Sequence, residues 1–441
     1  MKKVFLITLM VSITCLVFSQ ETVYPALPQT QTTVLYNGTL HKGNGEVIEN
    51  AVVIMEKGKI TYAGPMVASD FKDAKVIDVK GKHIYPGLIL ATSSLGLVEI
   101  SAVRASSDVR ELGELNPNVR SIVAYNTDSK VINTLRSNGI LMANIIPQGS
   151  LMAGSSSVVQ LDAWNWEDAV YKTDAGMHLY MPSLMPRPRF GFGGGNVSGP
   201  NQPQPDPVKE GLDQVDRIKS FFSEAKAYNA MTAHDETNLK FASVKGLFDK
   251  TQKLYVHANT VKQMLVALDL VRDFGFDLVI VGGSDSWQIA DLLKQNNVSV
   301  ILQQTHALPT SVDDDVDQAY KTAALLQKAG VLYAISDDDG STRGRNLPFN
   351  AGTASTYGLT KEQALQAITL NPAKIMGVSD KTGTIEVGKD ANIIISEGDI
   401  LDMRTSVVTD AFIQGRKIDL TDKHKLLNER FNQKYNIKKG F

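Results

Sequence analysis

The 441-residue chain holds a single cysteine, Cys15, and it lies within the first twenty residues. Those residues read as an export leader. Lys2 and Lys3 form a short positive start, Val4 to Phe18 is apolar apart from scattered Ser and Thr, and Ser19 is a small residue at a plausible cleavage point. With residues 1–19 removed, the mature chain would have no thiol. Disulfides, cysteine metal ligands and a thiol nucleophile are then excluded. Charge of one sign is also lacking: Lys+Arg 45 against Asp+Glu 47 leaves a net charge of -2. Neither nucleic acid nor an anionic membrane surface is therefore an expected partner. After the leader no apolar run approaches the roughly 20 residues of a spanning helix. The expected setting is the periplasm or the secreted fraction, with a small molecule as substrate or ligand.

What is present supports a large core, with 43% hydrophobic and 21% charged residues. Thr32 to Tyr36 is strand-like and meets a turn signal at Asn37-Gly38. Val52 to Glu56, Lys59 to Ala63 and Val76 to Val79 are further short strands separated by Lys-Gly turns, as in a small sandwich. From about residue 84 strand and helix alternate. Strands are expected at 253–257, 277–281, 298–303 and 331–336, with helices at 261–274, 287–295 and 318–329 between them. Such alternation implies βαβ units around a parallel sheet, either a barrel or a doubly wound sheet. Short strands return at Gly383–Glu386, Ala391–Ser396 and Ala411–Lys417, and a polar helix over 421–435 ends the chain. Residues 150–210 fit neither pattern. Their RPRFGFGGG stretch (Arg187 to Gly195) and proline-rich Pro200 to Pro207 suggest an inserted loop, either a lid or a surface excursion.

Several of these segments resemble the amidohydrolase superfamily, in particular its imidazolonepropionase-like exported members. They are Asn37-Gly38-Thr39, the Lys57-Gly58-Lys59-Ile60 turn with Gly64, and VIDVKGKHIYPG over 76–87. The far end adds ALQAITLNPAKIMG over 364–377 and GTIEVGKDANI over 383–393. The resemblance implies a (β/α)8 TIM-type barrel over 84–378, with the 150–210 insertion. The barrel would be inserted into a small β-sandwich built from both chain ends, 20–83 and 379–419, with a C-terminal helix over 420–441. It also implies one or two divalent metals at the barrel mouth, held by imidazole and carboxylate ligands that converge where strands end. Such a metal polarises a carbonyl and activates a bound water.

Measured against that pattern, the ligand set is depleted. The first-strand His-x-His positions are Thr92 and Ser94, following Pro86-Gly87-Leu88, and the strand-six position is Gly282. Hydroxyls are poor zinc ligands. His257, in Tyr255-Val256-His257-Ala258, and Asp337, in Ile335-Ser336-Asp337, keep the strand-five and strand-eight positions. They are the expected catalytic pair, and the expected ligands of one weakly held Zn, Fe or Mn ion if a metal is bound at all. Further donors would have to come from Asp338, Asp339, Asp285, Glu99 or His306. Arg343 and Arg345 suit a substrate carboxylate, or else simply pair with the neighbouring Asp residues, and His306 is a third substrate-binding candidate. The duller reading of His257 is a hydrogen-bonded relic. His178 and His234 carry less weight, and Trp164 and Trp166 read as packing. Two functions stay open: a hydrolase of non-peptide carbon–nitrogen bonds in cyclic amides or amino-acid derivatives, or a catalytically inactive barrel that binds a small molecule. In either case a homodimer, or pairing with an intact relative, is a compatible assembly.

Overall fold

The computed structural model describes residues 23–67, 71–149, 151–185, 206–309, 313–337 and 342–437. The leader, Cys15, the RPRFGFGGG stretch, Asp338 and Asp339 lie outside the described residues. Five strands come first: β1 (Thr33–His41), β2 (Val47–Glu56), β3 (Lys59–Pro65), β4 (Lys75–Asp78) and β5 (His83–Pro86). Eight more form the barrel sheet: β6 (Leu88–Ser93), β7 (Ile140–Ile145), β8 (Met152–Gln160), β9 (Val170–Tyr180), β10 (Lys253–Ala258), β11 (Leu278–Gly282), β12 (Ser299–Leu302) and β13 (Tyr333–Ile335). The last three are β14 (Ile393–Ser396), β15 (Val408–Ile413) and β16 (Arg416–Lys417).

Strands from both chain ends meet, because β14 pairs antiparallel with β5. The eight terminal strands are hydrogen-bonded into one continuous sheet, ordered β16-β15-β14-β5-β1-β2-β3 with β4 also on β1. The expected sandwich is thus one branched sheet, and β1 makes the branch. Asn37 takes a left-handed φ of 71°, and the register shifts between Tyr36 and Gly38. The bulge bends the strand, so residues 33–36 pair with β4 while Thr39 and Leu40 pair with β5. Asn37-Gly38 is therefore a bulge within a longer strand, where the sequence suggests a turn.

The barrel sheet runs β13-β12-β11-β10-β9-β8-β7-β6. The four consecutive pairings from β9 to β13 and the β6–β7 pairing are parallel, but β8 is antiparallel to both β7 and β9. Among the described residues no helix separates β7 from β8, and only the short Trp166–Ala169 helix separates β8 from β9. Without a long crossover the chain can only return antiparallel. This corrects two expectations. The barrel is not strictly (β/α)8, and residues 152–180 are barrel wall rather than insertion. Closure uses a short bridge: Ile335 N–H donates to Ala367 C=O at 2.9 Å, and Ile89 N–H donates to Ile368 C=O at 2.9 Å.

The barrel interior is a compact cluster of Ala91, Tyr255, Val279, Val281, Ile301, Ala334 and Ile375. Ile375 belongs to the helix Leu370–Met376, whose C-terminal end reaches that interior. Its carbonyls are satisfied by two strand lysines, Lys253 Nζ to Ile375 O at 2.7 Å and Lys172 Nζ to Met376 O at 3.0 Å. Burial lowers the pKa of both lysines. Cations at a helix C-terminus oppose its dipole and cap its free carbonyls.

Candidate functional site at the barrel mouth

Alternation along β9 sets the site. Ala175, Met177, Leu179 and Met181 belong to the large core cluster, so Gly176, His178 and Tyr180 fall on the opposite face of the strand. On β10 Tyr255 faces the interior, and His257, two residues on, shares its face. Gly176 has no room for a β-carbon because the Tyr255 ring lies over it. In the parallel register His257 pairs with Tyr180, and Tyr255 with His178. The result is a ring stack: Tyr180 on His257 at 3.8 Å and 11°, and His178 on Tyr255 at 5.0 Å and 23°.

His178 Nδ1 and His257 Nε2 lie 2.9 Å apart, so one of them carries the shared proton. Burial pushes the His257 pKa down to about 3. Burial and the neighbouring His257 hold His178 well below the ordinary histidine range. Both rings are therefore neutral near pH 7. His178 Nε2 is buried and has no hydrogen-bond partner. His257 stands where the sequence places it, at the end of the fifth strand. His178, which carries less weight in the sequence, lies on β9 in hydrogen-bond contact with His257. The signal that locates it is the two-residue alternation from Ala175 to Met181.

Asp337 follows β13, is 1% exposed, and is held by a different set of partners. Arg343 Nε donates to Oδ1 at 2.8 Å, and Asn350 Nδ2 donates to Oδ2 at 3.3 Å. Of the two sequence readings for Arg343, the ion pair with a neighbouring Asp is the one present. Asn350, which no motif marks, also accepts from the backbone N–H of Thr305 at 2.9 Å and of His306 at 3.2 Å. It ties the loop after β12 to Asp337.

The other candidates stand elsewhere. The His306 ring contacts Thr353 Oγ1 at 2.7 Å and lines an outer groove with Lys361, Asp399 and Arg404. Arg345 Nη1 faces His424 of the C-terminal helix at 3.4 Å. The Glu99 carboxylate accepts from Asn126 and Ser129, each at 3.1 Å. Asp285 has its pKa raised by burial and sits beside the start of the helix Val261–Phe274.

The divalent metal implied by the resemblance does not fit the residues present. Gly282 offers no donor at the strand-six position, its φ of +99° disfavours any side chain there, and the Asn259 carboxamide occupies the space a β-carbon would take. Thr92 is fully buried and committed to Ser336: its Oγ1 lies 3.1 Å, and its N–H 3.0 Å, from Ser336 Oγ. Ser94 offers only a second hydroxyl. His257 Nε2 is taken by His178, and one Asp337 oxygen by a guanidinium.

At the C-terminal ends of β11 and β12 opens a recess of about 120 Å³. Gly282, Ser284, Gln303, Gln304, Thr305 and Gln318 are among its walls. Its polar wall is mostly carboxamide and hydroxyl, with Asp314 beside apolar Leu302, Leu308 and Pro309, and can pair with neutral hydrogen-bonding groups such as amides.

A family model described as the amidohydrolase family matches residues 213–440, slightly more than half of the chain. An imidazolonepropionase of Thermoplasma volcanium is 30% identical over 165 residues, which is 36% of this chain and 37% of that protein. An imidazolonepropionase of Brucella suis is 22% identical over 377 residues, covering 79% of this chain and 87% of that one. Among solved structures, an amidohydrolase from Thermotoga maritima superposes with a TM-score of 0.75 at 24% identity, covering 88% of this chain and 99% of that one. That likeness establishes the fold.

Proposed function

The chain belongs to the amidohydrolase family, and from that premise we propose that its barrel mouth takes small cyclic amides or amino-acid derivatives and hydrolyses a non-peptide carbon–nitrogen bond. The observation that carries this reading is the recess at the C-terminal ends of β11 and β12, with Gln303, Gln304 and Gln318 among its walls. Gln303, Gln304, Gln318 and the nearby hydroxyls pair with the donor and acceptor of a ring amide. His257, neutral at working pH, offers a hydrogen bond rather than a charge. The Arg343 guanidinium pairs with Asp337 through Nε, and a substrate carboxylate at this end of the barrel would have to share it. No step is routed through a metal, since the donor set does not fit one. We also propose export, from the leader over residues 1–19, and a small-molecule substrate with no nucleic acid partner.

A second reading is favoured by a specific observation. A proton acceptor for an attacking water should have its pKa near the working pH. His257 is held at about 3, and the Asp337 carboxylate is already engaged by Arg343 and Asn350. A barrel with this inventory binds a ligand without turning it over, alone, as a homodimer, or beside an intact relative. One experiment separates the two. The mature protein is incubated with a panel of cyclic amides and N-substituted amino acids, and both released amine and heat of binding are recorded. Turnover that His257→Ala abolishes supports the hydrolase. Saturable binding without amine release supports the binding barrel. Neither turnover nor binding at the mouth across the panel would refute both.

A further inference from the structure

We infer that Arg343 takes the place of the metal cation, supplying from the chain itself the positive charge that Asp337 would otherwise need from an ion. The inference rests on the family reading above, because that reading identifies Asp337 as a ligand position.

A carboxylate at 1% exposure cannot stay ionised without compensation; isolated burial of such a charge costs many kcal/mol, and real proteins pair it or protonate it. Here compensation is complete without an ion. Arg343 Nε donates to one oxygen at 2.8 Å and Asn350 Nδ2 to the other at 3.3 Å. The guanidinium is delivered from close range, on the 3-10 turn Thr342–Asn346 that follows the strand end. Asn350 is itself fixed. Its oxygen accepts two backbone N–H groups, from Thr305 and His306, and its nitrogen also donates to Asn346 C=O at 3.2 Å. Its hydrogen-bonding capacity is used up, so it holds the carboxylate with little freedom.

The remaining ligand positions point the same way. The strand-six position is a glycine with φ +99° and carries no donor. Thr92 bonds Ser336, and His257 Nε2 faces another imidazole. A dication approaching Asp337 would have to displace a guanidinium, and at the described ligand positions it would meet donors that are already bonded. The same carboxylate thus keeps a cationic partner, but a covalently tethered one, and the barrel closes without an exchangeable ion.

The test uses the mature full chain and thermal unfolding, with metal content read separately. Wild-type protein is exposed to excess Zn, Mn or Ni, desalted and analysed. We expect less than about a tenth of an equivalent bound, and a Tm unmoved by chelator. Arg343→Met should lower Tm by roughly 5 °C, because it leaves a buried charge unpaired. The Asp337→Asn/Arg343→Met double variant should recover much of that loss, which a merely packed arginine would not show. Stoichiometric metal surviving desalting, with a Tm that falls on chelation, overturns the inference. So does an Arg343→Met protein as stable as wild type. The turnover panel distinguishes this from the proposed function: a metal-free protein that hydrolyses a cyclic amide satisfies both. A metal-free inert protein removes the hydrolase alone, and a metal-loaded active one removes only the role given to Arg343.

Discussion

His178 and His257 share one hydrogen bond inside a ring stack, and both are held neutral by burial. An imidazole whose pKa falls on folding binds fewer protons in the native than in the unfolded chain. Its stabilising contribution is therefore complete above the unfolded value of 6.5 and is lost as pH falls toward about 3. The wild-type stability should fall more steeply between pH 6.5 and 4 than that of a His178→Gln/His257→Gln variant, measured by urea midpoints across that range. Equal slopes would show that neither ring titrates abnormally. Gly282 is the second informative residue. Its φ of +99° and the Asn259 amide against it predict that Gly282→Ala costs about 1–2 kcal/mol, again from urea unfolding. At this scale the sequence was legible only where a motif fixed the spacing. His257 and Asp337 could be placed because each closes a strand in a recognisable string. Their partners could not, since Asn350 and His178 reach the site from segments with no motif, and Arg345 and His306 turn toward the C-terminal helix and an outer groove.

Local rules carried much of the element scale. The helix Val261–Phe274 begins with a Thr260/Gln263 capping box and ends at Gly275 with φ 75°, and both signals stand in the sequence. The Thr360/Gln363 box and Gly377 do the same for the helices near the far end of the barrel. Where pairing rather than local preference decides, the reading failed. Asn37-Gly38 forms a bulge because β1 has three partners. The β8 strand was missed because nothing local says that a strand must run antiparallel inside an otherwise parallel wall. A prediction belongs to the element that reaches the interior. Lys253 Nζ caps the Leu370–Met376 helix through Ile375 O, and a charge-assisted hydrogen bond of this kind is worth about 1.5–3 kcal/mol. Lys253→Met should lose that much in chemical denaturation while leaving the far-ultraviolet circular dichroism unchanged. A neutral result would assign the helix end to packing by Ile375 alone.

The whole molecule is held together across its two sheets. Ile394, Ile400, Val408, Ala411, Ile413 and Ile418, from the C-terminal strands and their connections, belong to the same buried cluster as the outer faces of the barrel strands. Charge reinforces this junction. The Asp162 side chain, fully buried at the end of β8, accepts from Arg136 at 2.6 Å and from Arg416 of β16 at 3.0 Å. It also accepts from the backbone N–H of Ala26, near the start of the described chain, at 3.0 Å. One carboxylate thus joins the barrel, the terminal sheet and the N-terminal segment. A shared apolar cluster makes independent unfolding of either sheet costly, so calorimetry should show a single transition whose calorimetric and van't Hoff enthalpies agree. Asp162→Asn removes the negative charge and leaves two guanidinium groups facing each other, Arg136 at 4% and Arg416 at 14% exposure. Breaking a buried pair in this way costs about 3–5 kcal/mol. Because the residue bridges both sheets, the loss should shift the whole transition downward without splitting it. Two resolved transitions in the variant would mean that Asp162 alone couples the sheets and that the apolar junction contributes little.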